Sequence, residues 1–174
     1  ALVRMASVAE PEVAARGKHW RSPRMSAARR GPELVHLNMR TRGAIAALTV
    51  VEQPAFDEPL GSEQVELRVH AVGLNFRDVL NVLGEYPGEP GPPGGDSAGE
   101  VVATGEGVAH VGAGDAVLGW AHAPLAHAAG ADARLLGKKP ALSFEAACTL
   151  PTVWCTVNLA FGRAGLCTGH DALV

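Results

Sequence analysis

One tyrosine, Tyr86, stands between Gly84 and Pro87–Gly88. A phenol is one of the side chains able to deliver a proton in a chemical step, and one held in a Pro/Gly turn is well placed to face a cleft. The competing account is that Tyr86 packs beneath its turn and bonds locally. Eleven residues earlier, Asn75 can cap a helix that begins at Phe76, with Asp78 three positions on favouring the positive helix end. The seven histidines are dispersed, with only His122 and His127 close together, so no ligand spacing for a metal is visible. Cys148, Cys155 and Cys167 are odd in number and form no CxxC pair. A disulfide framework is therefore not expected, and a reducing, cytoplasmic setting is. Cys148 and Cys155 lie in the apolar stretch AACTLPTVWCTV and read as small buried hydrophobes. The glycines at 105–107 and 112–114 follow no strand–turn–helix pattern of dinucleotide type and read as ordinary turns.

Strands and short helices must position these groups. Val65, Leu67, Val69 and Ala71 alternate with Glu66, Arg68 and His70, which predicts a half-buried strand. Ile45–Val51 predicts another strand, Gln53–Ser62 a loop, and 76–83 a short helix. Ala98–Thr104 reads as a strand in which Gly99 marks a bulge or a close backbone approach. The turn Gly112–Asp115 leads into a strand at Ala116–Trp120, and residues 121–134 hold one short strand and a turn. Ser143 caps a helical stretch through Cys148. Pro151 suits the first turn of a helix over Thr152–Phe161, which Gly162 can end. Ala172–Val174 reads as the start of a buried strand.

Composition fits a globular domain with an arm. The 174 residues are 47% hydrophobic with a mean hydropathy of +0.10, and no run approaches the ~18 uninterrupted apolar residues of a membrane span. Residues 1–42 hold nine Lys/Arg against Glu10, Glu12 and Glu33, a net of +6, and the remainder carries −9 within a total of −3. A basic arm of this kind could bind nucleic acid, act as a transit peptide or lie on neighbouring protein. No aromatic interleaving supports nucleic acid, and Glu10 and Glu12 weaken the transit-peptide reading.

Four landmarks carry a family resemblance: VHAVGLNFRDVLNVLGEYPG at 69–88, GGDSAGEVVATGEGV at 94–108, VGAGDAVLG at 111–119 and SFEAACTLPTVWCTVNLAF at 143–161. In this order and spacing they resemble the medium-chain dehydrogenase/reductase superfamily, in particular the enoylreductase domain of polyketide and fatty acid synthases, a cousin of quinone oxidoreductases. The resemblance runs from about Arg40 to the end. PEVAARGKHWRSPRMSAA at 11–28 resembles the strand that connects preceding domains to such a reductase. It implies a fold that is mainly β with short helices: a linker over 1–39, a GroES-like, partly open β-barrel substrate-side domain over 40–170, and at 171–174 the start of a dinucleotide-binding Rossmann domain.

The function implied is NADPH-dependent reduction of trans-2-enoyl thioesters on an acyl carrier protein, among other domains of the same synthase, with no metal, nucleic acid or membrane partner. The NADPH pyrophosphate would be received by the missing half, as would the lysine and aspartate often proposed as proton donors, so this chain alone is expected to be inactive. Tyr86 matches the tyrosine of the LGxYPG turn, a proton donor or a stereochemical wall. Asn75 and Phe76 match the corner that approaches the nicotinamide and the acyl chain, although capping accounts for Asn75 equally well. Thr156 matches a threonine facing the nicotinamide amide, or bonds back one turn along its helix. Val157–Asn158–Leu159 departs from the usual small and aromatic run after it. In zinc alcohol dehydrogenases a cysteine and a Gly-His-Glu triplet stand where this chain has Asn75–Phe76 and Gly95–Asp96. The alternatives are a free-standing quinone oxidoreductase-like enzyme and a non-catalytic β-barrel interaction module.

Overall fold

The computed structural model describes residues 34–55 and 59–165, with two short strands at 14–16 and 19–21. They fall in two compact units, Ala1–Gly31 and Pro32–Val174. In the first, β1 (Ala14–Arg16) pairs antiparallel with β2 (His19–Arg21). The expected strand at Ala172–Val174 and Cys167 lie outside the described residues.

In the second unit β3 (Val35–Met39) and β4 (Leu48–Glu52) form an antiparallel pair. A five-stranded antiparallel sheet runs in the order β8-β5-β6-β7-β9. Its strands are β5 (Gln64–Gly73), β6 (Asp96–Thr104), β7 (Ala116–Trp120), β8 (Ala128–Asp132) and β9 (Leu136–Lys138). Three helices accompany it: α1 (Phe76–Leu83), α2 (Phe144–Ala147) and α3 (Pro151–Arg163). The architecture is mainly β with short helices, as the sequence predicts. Residues 125–127 lace the β3–β4 pair to the sheet. Leu37 N–H donates to Leu125 O at 2.7 Å, His127 N–H to Val35 O at 2.8 Å, and Val69 N–H to His127 O at 2.9 Å.

The alternation in β5 decides which face is inside. Val65 and Leu67 are buried and pack with Val101, Val117, Ala129 and Leu136. Burying a Val or Leu fully contributes about 1.5–3 kcal/mol each. Small residues let the strands come close. A Cβ on Gly99 would lie 2.2 Å from the main-chain oxygen of Arg68, and the register shifts between Val69 and Ala71, leaving His70 as the extra residue. Of the two alternatives at Gly99, the close approach is present, and the bulge falls on the facing strand at His70.

Four expectations need correction. Ile45–Ala47 is a 3₁₀ turn, and the strand starts only at Leu48. The register Met39↔Leu48 leaves residues 40–47 as the connection, and Ile45 is 69% exposed. The long helix continues through Gly162 to Arg163, and Gly165, at φ +68°, takes the left-handed position that ends it. Cys155 is exposed, because α3 buries no residue along its length; only Cys148 sits in the core. Finally, β3 and β9 go unmarked in the sequence. Every residue of β3 is partly buried, which erases the alternation, and β9 has three residues, too few for a period.

Candidate active site

The site is organised by a buried acid. Asp96 opens β6 and is 2% exposed. Its Oδ2 accepts from Asn75 Nδ2 at 3.1 Å and from the main-chain N–H of Thr152 at 3.1 Å, while Oδ1 accepts from Thr152 Oγ1 at 2.6 Å. The start of α1 is thereby tied to the start of α3 across the first residue of a central strand. A buried carboxylate is tolerated when donors surround it, and here two helix entries supply them. Gly73 makes room, since a Cβ there would lie 2.3 Å from Cys148 O and 3.2 Å from Asp96 Cβ. Burial pushes the Cys148 thiol up, and its Sγ–H donates to Glu145 O at 3.1 Å. Cys148 is thus a packed hydrophobe rather than a nucleophile.

At the entry to α1, Asn75 and Asp78 form a capping box. Its well-made arm is Asp78 Oδ2 accepting from Asn75 N–H at 2.9 Å. The opposite arm is looser: Asp78 N–H bonds to the main-chain oxygen of Asn75 at 2.9 Å, and the Asn75 side chain faces it without a bond of full geometry. That side chain spends its amide N–H on Asp96 instead. Capping and site-building therefore coexist at Asn75. Phe76 follows, 74% exposed.

Tyr86 lies beyond the other end of α1, whose eight residues span about 12 Å. Gly84, at φ +78°, reverses the chain, and the N–H groups of Glu85 and Tyr86 both reach Leu80 O, at 2.9 and 3.1 Å. The chain then folds back along the helix. Asn81 Nδ2 donates to Gly91 O at 2.9 Å, Arg77 to Pro90 O, and Gly94 N–H to Asp78 Oδ1 at 2.9 Å. This return brings the half-buried Tyr86 ring under the Arg77 guanidinium, 5.9 Å from ring centroid to Cζ, one residue past Phe76. Thr156 stands exposed one turn along α3, its hydroxyl donating to Thr152 O at 2.7 Å.

Asn75 and Thr152 are thus gathered on Asp96, with Thr156 one turn further along α3, while Tyr86 lies past the far end of α1 and meets that helix through Leu80 and Arg77. Asp96, Thr152 and Arg77 are the participants that motif reading misses. An acid at the head of a strand, directly after the glycine pair Gly94–Gly95, is the one signal that could have marked Asp96. A cavity of about 400 Å³ lies elsewhere, on the α3 flank between Leu118, Leu135, Pro140, Trp154 and Cys155. It touches none of the four candidate site residues.

Among the described residues no three His, Cys, Asp or Glu side chains cluster as a metal site would require, and no helix is long and apolar enough to cross a membrane. At Gly95, a Cβ would already meet Trp120 Nε1 at 2.4 Å, so an imidazole there would have to displace the indole.

The sequence profile of the alcohol dehydrogenase GroES-like domain matches residues 61–156, the stretch that holds β5, Asp96 and the start of α3. The chain belongs to the alcohol dehydrogenase GroES-like domain family. Among full-length relatives, it is 40% identical over 133 residues to the pikromycin polyketide synthase component PikAII of Streptomyces venezuelae, covering 74% of this chain and 4% of that protein. Among solved structures, CurK enoyl reductase superposes with a TM-score of 0.67 at 32% identity, over 75% of this chain and 43% of that one. Mycobacterial Rv1454c complexed with NADPH gives a TM-score of 0.64 at 26% identity, over 74% and 40%. The chain spans less than half the length of each. It is related to oxidoreductases of the medium-chain superfamily and to polyketide synthase enoylreductase regions.

Proposed function

We propose that this GroES-like domain is the substrate-side portion of an NADPH-dependent enoylreductase that reduces trans-2-enoyl thioesters presented on an acyl carrier protein. The observation that carries the reading is the Tyr86 ring lying against the guanidinium of Arg77, the residue after the exposed Phe76. The similarity to CurK enoyl reductase supports the reaction class.

The residues present fit the nicotinamide end of such a cofactor. The Thr156 hydroxyl gives its proton to Thr152 O, which leaves its lone pairs free to accept from a carboxamide N–H. Asn75, with its amide N–H held by Asp96, is fixed in orientation at the same corner. When bound, NADPH supplies the hydride for the enoyl β-carbon. The chain's own groups do the rest. The exposed Phe76 ring offers an apolar surface to the acyl chain. Charge that develops on the thioester oxygen needs donors fixed in advance, and Tyr86 holds a proton for the α-carbon.

The test is Tyr86→Phe in the reductase extended through its cofactor-binding half, assayed with an α-methyl enoyl thioester and chiral resolution of the product. Loss of a general acid lowers turnover by about 100-fold; where water substitutes, the product configuration changes, and in both cases NADPH affinity stays the same. Unchanged turnover together with unchanged configuration refutes the proton-donor role and leaves Tyr86 as a packing residue.

A further inference from the structure

The Tyr86 turn is held by a residue more than forty positions away. Arg42 lies in the connection between β3 and β4 and donates from all three guanidinium nitrogens to main-chain oxygens: Nε to Asn81 at 3.3 Å, Nη1 to Gly88 at 2.8 Å and Nη2 to Tyr86 itself. Its partners are the end of α1 and both sides of the Tyr86–Pro87–Gly88 bend. The connection is pressed against that helix end as well. Gly43 N–H donates to Val82 O at 2.9 Å, and a Cβ on Gly84 would lie 3.3 Å from Gly43 Cα. A cation at a helix C-terminus is electrostatically favourable, and a rigid fork can hold several carbonyls in one geometry where a single ammonium cannot.

Resting on the reading of Tyr86 as proton donor, we infer that Arg42 is the positioning residue that sets where the Tyr86 hydroxyl points. Tyr86 is fixed at three places: its N–H on Leu80 O, its carbonyl on Arg42 and its ring against Arg77. The N–H contact belongs to the helix end and the ring contact is a loose stacking one. The Arg42 fork is the element that spans the bend on both sides, so it fixes the rotation of the turn about the helix end. A displacement of about 1 Å in a reacting group can cost on the order of 100-fold in rate.

The experiment compares four reductases, each extended through the cofactor-binding half: wild type, Arg42→Lys, Tyr86→Phe and the double variant. Arg42→Gln stands in if the lysine variant loses its cooperative melt. Turnover, KM for NADPH and product configuration are read for each. The clamp is supported if Arg42→Lys lowers kcat by about tenfold or more, raises the minor product isomer, leaves KM for NADPH unchanged, and adds nothing once the hydroxyl is gone in the Tyr86→Phe background. Equal losses from Arg42→Lys in both backgrounds overturn it, because the guanidinium then acts on the fold at large. An effect of Tyr86→Phe with none from Arg42→Lys also overturns the clamp while leaving the Tyr86 reading intact. No effect of Tyr86→Phe removes that reading, and the clamp with it.

Discussion

Replacing Asp96 by alanine tests whether the carboxylate is the pin between α1 and α3. The side chain is 2% exposed and accepts three hydrogen bonds, two from Thr152 and one from Asn75. Hydrogen bonds to a charged acceptor contribute roughly 1.5–3 kcal/mol each, which sets an upper bound near 9 kcal/mol. The loss will be smaller, because Thr152 is exposed and water can satisfy its N–H and hydroxyl. Asn75 is only partly exposed and is less easily rehydrated. The expected cost of Asp96→Ala is therefore about 2–4 kcal/mol, or roughly 5–15 °C in Tm for a domain of this size. Asp96→Asn has the same shape. Its oxygen can still accept from Asn75 and the Thr152 N–H, and its amide can donate to a Thr152 hydroxyl that has turned round, so only charge assistance is lost, about 1 kcal/mol. Urea titrations followed by tryptophan fluorescence, to which Trp120 on β7 next to Gly95 contributes, give both values with unchanged m. If alanine and asparagine cost the same, or alanine costs less than about 0.5 kcal/mol, which is the scatter of an ordinary surface change, Asp96 is not the pin.

Two further tests concern the framework. Gly99→Ala puts a methyl 2.2 Å from Arg68 O in the middle of the β5–β6 pairing, and should cost about 3 kcal/mol in urea denaturation. A loss under about 1 kcal/mol would show that the two strands separate easily. Maleimide labelling mapped by peptide mass should modify Cys155 well before Cys148, at pH 7 and still at pH 9, because burial raises the Cys148 thiol and so lowers its thiolate fraction. Equal rates at the two cysteines would contradict the packing of α2.

Where a segment had one buried face and more than five residues, the sequence announced it. The alternation of Val65 to Ala71, the Asn75–Asp78 cap and the Ser143 cap all stand where the residues place them, and Ser143 Oγ accepts from Ala146 N–H at 3.1 Å. The β3 strand was hidden because it is half-buried on both sides. The site was less legible than the fold. Asn75, Phe76, Tyr86 and Thr156 are marked by motif, but what orders them is not: Asp96 meets Thr152 across 56 residues, and Arg42 meets the Tyr86 carbonyl across 44. Nothing local to Arg42 distinguishes it from the other arginines of a basic stretch, since its partners are main-chain oxygens that every residue possesses.

The strand order also has a consequence during synthesis. Gln64 of β5 pairs with Asp132 of β8, so one edge of β5 stays unpaired until 68 further residues have been added. At about 5–20 residues per second that interval lasts roughly 3–14 s, long enough for a neighbouring nascent chain to pair with the bare edge. Glu66, Arg68 and His70 line the outer face of that strand, and Arg68 and His70 later meet Glu100 of β6. Before β6 and β8 arrive, Glu66 and Arg68 make β5 a poorer template for a neighbouring apolar strand, since a stranger docking there has to accommodate charge.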